Sequence, residues 1–159
     1  MSGITYVTGD ATAPQGEGPK IICHVCNDIG KWGAGFVLAV SRRWPQPEAS
    51  YREWYAGRDG NGFGLGAVQF VQVAPDHWVA NLVGQHGIRT AKGQSPVRYD
   101  AIAEGLRRVG EKAIELGSSV HMPRIGCGLA GGSWDRIEPL IQAALTDRGV
   151  PVTVYDFGG

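Results

Sequence analysis

A three-layer α/β domain with a mixed central sheet is the fold this chain predicts, on three observations. β-rich runs alternate with helical patterns along 159 residues, no repeat, linker or low-complexity tract interrupts them, and 25 glycines cluster without a period. A chain of this length buries roughly 68–70% of its unfolded surface, so a single domain over residues 1–159 needs no covalent staple.

The elements follow in order. Ile4 to Thr8 and Lys20 to Val25 read as strands bounded by turn residues. Phe36 to Arg43 is apolar with basic residues at its end and Pro45 just beyond, as a short helix finishes. Pro47 to Tyr55 starts a second helix that Gly57 closes. Ala67 to Ala74 and Trp78 to Val83, separated by Pro75-Asp76-His77, predict a hairpin or meander. The strongest helical pattern places Ser95 as N-cap and Pro96 in the first turn, with Ile102, Leu106, Val109 and Ala113 on one face and Gly117 at the end. Val120 to Met122 is a brief strand. Ser133 to Leu145 carries Ile137, Leu140, Ile141 and Ala144 on one face, and Pro139 predicts an irregular first turn with a regular helix after it. Pro151 to Phe157 alternates as a final strand.

Composition removes several classes of function. Fifteen basic residues balance fifteen acidic ones, which excludes a polybasic nucleic-acid arm. No apolar run approaches the roughly 20 residues of a membrane span, and the N-terminus lacks a basic region followed by an apolar one, so the expectation is a cytoplasmic protein without membrane contact. Cys23, Cys26 and Cys127 are too few for a disulfide framework. Cys23 and Cys26 lie three apart on a predicted strand and point to opposite faces, which argues against a redox pair. The four histidines, His24, His77, His86 and His121, show no zinc spacing, so no metal is expected, and His24 and His121 read as satisfied core or sheet-edge residues.

Chemistry concentrates in two glycine-rich segments, each after a strand and before a helix. Asn27 through Gly35 contains Trp32, Gly33, Ala34 and Gly35; Arg124 through Gly132 contains Ile125, Gly126, Cys127, Gly128 and Leu129. Small residues at a helix N-terminus let N–H groups converge on an anion. Two such loops meet at the carboxyl edge of one sheet, where open α/β sheets bind nucleotides, and this points to a diphosphate ligand. Beside this stand plainer readings, a flexible connection for the first loop and a helix entry that needs unusual backbone angles for the second. Trp32 is either an anchor for its loop or a pocket wall, and Phe157 can pack or stack on an adenine. Cys127 is read as a small residue whose N–H matters rather than as a nucleophile.

Taken together these residues resemble a macrodomain, the α/β module that binds ADP-ribose. Ile4-Thr5-Tyr6-Val7-Thr8-Gly9-Asp10-Ala11 resembles the opening strand whose aspartate reads the adenine amino group. Asn27 to Gly35 resembles the loop around the distal ribose, and Met122-Pro123-Arg124-Ile125-Gly126-Cys127-Gly128-Leu129 the phosphate loop. That last string is similar to the branch holding the terminal ADP-ribose protein glycohydrolase and the yeast ADP-ribose-1″-phosphate phosphatase; Trp32-Gly33-Ala34-Gly35 with Trp44-Pro45 looks more like the yeast enzyme. The resemblance implies a three-layer α/β/α fold with a mixed, mostly parallel sheet of about six strands. It also implies an ADP-ribose site that includes Asp10, Ala11, Asn27, Trp32 to Gly35, Arg124 to Leu129 and Phe157.

The chain departs from the glycohydrolase at two places. Gln85 or its neighbours stand where that enzyme has a lysine, and Ala130 where it has an aspartate; Lys92, beyond Gly87 and Thr90, is a poor replacement. The expected activity is cofactor-free hydrolysis of mono-ADP-ribose from acidic side chains of a modified protein, extending to ADP-ribosylated DNA bases, by a monomer. Asn27 would hold ribose hydroxyls, Gln85 would position the water or the leaving group, and the substrate's own phosphate would orient the water. ADP-ribose-1″-phosphate dephosphorylation, a non-catalytic ADP-ribose reader and a generic nucleotide-binding domain are the alternatives.

Overall fold

The structure, a computed structural model, describes residues 3–88 and 95–157. Six strands form one sheet: β1 (Ile4–Thr8), β2 (Lys20–Asn27), β3 (Val68–Ala74), β4 (His77–Gln85), β5 (Ser119–Met122) and β6 (Val152–Asp156). Their order is β1-β6-β5-β2-β4-β3, with β3 and β4 antiparallel and every other pair parallel. Among the described residues the α-helices are α1 (Phe36–Arg43), α2 (Gln46–Ala56), α3 (Tyr99–Leu116) and α4 (Trp134–Ala144).

Two cores, one on each face, make the three layers. Ile21, Cys23, Leu82 and Val120 meet Ile102, Leu106 and Val109 of α3 and Ile137 and Ile141 of α4. On the opposite face Ile22, Cys26 and Val79 meet Trp32, Val37 and Val40 and Tyr51 of α2. The strand alternation that separates Cys23 from Cys26 thus puts them in different cores, and burial pushes the Cys23 thiol up to about 12.

Two helix expectations need correction. Helix α3 begins at Tyr99, and Arg98 before it is extended; Ser95 does not cap it. Val97 instead bridges Gln85, and the His86 N–H donates to the Pro96 carbonyl at 2.8 Å, so the segment extends the pairing of β4 before the helix starts. A long-range pairing has overridden a local capping pattern. Helix α4 runs unbroken from Trp134 through Pro139, where an irregular first turn was expected. The proline sits at the sixth position and forgoes one backbone bond, while Ile137 and Ile141 stay in the core on either side of it.

Parallel neighbours β2 and β5 pair from Lys20 and Ser119 to Ile22 and His121, after which β2 continues to Asn27, so the loops that follow both leave from the carboxyl edge of the sheet.

Candidate functional site

The loop after β2 is organised by one side chain. Asn27 Oδ1 accepts the N–H groups of Ile29 and Lys31, both at 3.0 Å, and lies 2.9 Å from the Tyr51 hydroxyl. Its Nδ2 donates to the Lys31 carbonyl at 2.8 Å. Asn27 is therefore first a fastener of its loop, and one amide hydrogen remains uncommitted among the described residues. Trp32 is both anchor and wall: its ring is buried among the α1–α2 core, and Nε1 donates to Ser41 at 2.8 Å. Ser41 donates on to Glu48, which holds Arg52 at 3.0 Å.

The loop after β5 is held by its main chain. Gly132 N–H donates to the Gly126 carbonyl at 2.7 Å, and a methyl group built on Gly132 would lie 2.3 Å from that oxygen. A single 3₁₀ turn, Gly128–Ala130, closes it. Among the described residues the N–H groups of Gly126 and Gly128 have no acceptor. Opposite them the first turn of α1 has no side-chain cap, and Gly35 before it takes φ 82°, a conformation that favours glycine.

Two cavities that share lining residues lie here, the first between the loops and the second between the loop after β2, α2 and the end of β4. The first, a cradle of about 300 Å³, is bounded by Ala34, Gly35, Phe36 and Val37 on one side and by Pro123, Arg124, Ile125, Gly126, Cys127 and Gly128 on the other. The second, about 580 Å³, is lined by Asn27, Lys31, Trp32, Gly33, Arg52, Gln85 and Ile88 among others. Val25, Ala34, Val37 and Gln85 belong to both. The first brings the uncommitted N–H groups of Gly126 and Gly128 beside the start of α1, an arrangement that can hold an anion; the second offers the polar side chains of Asn27, Lys31, Arg52 and Gln85, which can hold a sugar.

Most expected site residues converge here. Arg124 lines the cradle, but its guanidinium is taken by Asp156 at 2.7 and 3.1 Å and lies over the rings of Tyr6 and Trp134. Cys127 is half-buried, and desolvation raises its thiol above the usual range, so a resting thiolate is disfavoured. Gln85 Nε2 donates to the Gly87 carbonyl at 2.9 Å, which leaves Oε1 to accept. Asp10, Ala11 and Phe157 line neither cavity. They sit at the ends of β1 and β6, which the Gly9 N–H ties to the Asp156 carbonyl at 2.8 Å. Asp10 keeps one carboxylate oxygen on Thr12 and Ala11 is buried, while Phe157 is 74% exposed. Leu129's side chain, Thr90 and Lys92 lie outside the described residues. No group of metal ligands occurs among the described residues.

The sequence reading missed Arg52, which α2 brings in from a distance, and Ile88. It also misread His24. Its Nε2 lies 2.6 Å from Asn81 Oδ1, but its buried Nδ1 has no partner among the described residues. His121 is satisfied on both nitrogens, by Ser119 and Tyr155, each at 2.7 Å.

No protein-family model matches the chain. A solved structure described as a macrodomain protein from Streptomyces coelicolor is 64% identical, covers 98% of this chain and 99% of its own, and superimposes with a TM-score of 0.88. The chain belongs to the macrodomain family. The ADP-ribose 1″-phosphate phosphatase of Saccharomyces cerevisiae is 40% identical over 98% of this macrodomain and 99% of its own length. The mouse chromodomain-helicase-DNA-binding protein 1-like is 34% identical over 98% of this chain, which spans only 18% of that protein's length.

Proposed function

We propose that the protein is a hydrolase that removes mono-ADP-ribose from aspartate and glutamate side chains. The observation that carries this reading is the composition of the larger cavity: Lys31 and Arg52 line it, and no carboxyl or imidazole group does among the described residues. A bond whose leaving group must be protonated would find no acid there. An acyl ester at C1″ departs as a carboxylate anion, needs no proton, and leaves toward Lys31 and toward Arg52, whose charge Glu48 already partly meets. The main-chain cradle holds the diphosphate, the sugar carbon gains positive charge as the ester breaks, and the neighbouring phosphate offsets it. Gln85 Oε1 accepts a hydrogen bond from the attacking water, whose proton passes to solvent once the bond to C1″ has formed, and the free hydrogen of Asn27 Nδ2 meets a ribose hydroxyl.

The test is to incubate the protein with a glutamate-modified substrate and follow ADP-ribose release. Release at a rate far above the spontaneous one is expected. Retained label beside tight ADP-ribose binding would replace the hydrolase with a reader.

A second reading, dephosphorylation of ADP-ribose-1″-phosphate, is favoured by the likeness to the yeast protein of that name. Water is again added and the C1″ hydroxyl freed, but here the departing phosphate keeps a proton, so the reaction is that of the monoester monoanion. Phosphate release measured on the same preparation ranks the two, and a much faster phosphatase reaction would reverse the order.

A further inference from the structure

His24 is set up in a way that core packing does not account for. It lies on β2, 1% exposed, and forms part of the wall of the diphosphate cradle. Its partner Asn81 spends its amide nitrogen on the Pro47 carbonyl at 3.2 Å and on Gln69 Oε1 at 3.0 Å. Asn81 therefore presents oxygen to the histidine, and Nε2 must be the donor. This fixes the tautomer: Nδ1 is a bare lone pair, buried, and without a partner among the described residues. Such an atom is costly unless something meets it.

The surroundings carry no fixed charge that already answers it. Cys26 of β2 has its sulfur 3.9 Å from Nε2, the Trp32 ring stands edge-on at 5.4 Å, and Phe36 of α1 lies at 5.9 Å. Arg124 and Cys127 line the cradle from the facing loop, the one committed to Asp156 and the other held protonated by burial. Burial likewise holds the imidazole down at about 4, so the ligand-free site is neutral.

We propose that His24 is a side-chain ligand of the diphosphate: as the anion enters, Nδ1 takes a proton from solvent and donates it to a phosphate oxygen, while Nε2 stays on Asn81. One N–H bond forms, no group leaves, and the cradle acquires a cation only when a negative charge is there to meet it. This rests on the cradle being the diphosphate site.

Calorimetric titration with ADP-ribose at pH 6, in two buffers of different ionisation enthalpy, tests it. The wild type should take up a measurable fraction of a proton on binding. His24→Gln, whose amide keeps a donor for Asn81 but places nothing at Nδ1, should take up none and lose affinity by about 10-fold at pH 6, the gap closing by pH 9. A buffer-independent enthalpy in the wild type, or uptake that persists in His24→Gln, overturns the proposal. Should that variant not fold, the imidazole resonances of His24 in the wild type decide: saturation with ADP-ribose must raise the titration midpoint, and an unmoved midpoint overturns the proposal. Proton uptake without ester cleavage removes the hydrolase reading alone, and cleavage without uptake removes this inference alone.

Discussion

The two glycine-rich loops solve the same problem by opposite means. The segment after β2 is fastened by a side chain, so the amides of Ile29 and Lys31 are consumed at Asn27 and what it shows the cavity is Asn27, Lys31 and Trp32. The segment after β5 is fastened by main chain and close packing, so its amides at Gly126 and Gly128 stay available. A loop tied by a side chain displays side chains, and a loop tied by backbone displays backbone. On the proposed function the first would meet the sugar where the bond breaks and the second the phosphates.

The largest effect is expected where the bare loop is filled. A side chain at Gly128, which has φ 64° and open space where a Cβ would stand, projects from the phosphate loop; Gly128→Tyr should lower ADP-ribose affinity by on the order of 100-fold in calorimetry. Retained affinity would mean that the main chain there does not touch the ligand. Asn27→Ala removes the fastener of the other loop and leaves two amides without their acceptor, so denaturant unfolding should show a loss of about 2–4 kcal/mol. A loss under about 0.5 kcal/mol would show that the loop holds its shape by other means. Gln85→Ala should leave affinity within about 2-fold and lower kcat by about 10- to 100-fold on an ester substrate, the split of a residue that acts on the water or the leaving group in the transition state.

The smallest effect concerns acid. Each loop follows a strand with a buried histidine, His24 on β2 and His121 on β5, and burial holds both near 4, below the ordinary 6.5. Between those values the unfolded chain binds more protons than the folded one, so stability should fall as pH drops from about 6.5 toward 4. Thermal unfolding across that range checks the sign, and His121→Gln should flatten the slope.

Much of this was legible in the chain because it is local. The alternation of strands and helices, the opposed faces of Cys23 and Cys26 and the two loops follow from neighbours a few residues apart. The start of α3 was misplaced because Val97 answers to Gln85 across the sheet rather than to its own sequence. His24 was misread for a similar reason: its state is set by Asn81, 57 residues away, and by what Gln69 and Pro47 ask of that amide. Arg52 enters the cavity only because α2 folds back over the sheet, and no local pattern announces it.

The uncapped start of α1 has a thermodynamic corollary. The Leu38 N–H already donates to the Gly35 carbonyl, and an anion seated on the amides before it would complete the helix, so that occupancy would be written into heat resistance. At a hundredfold excess over its dissociation constant such a guest adds about 2.7 kcal/mol, which makes the melting curve itself an assay for whatever this protein meets in the cell.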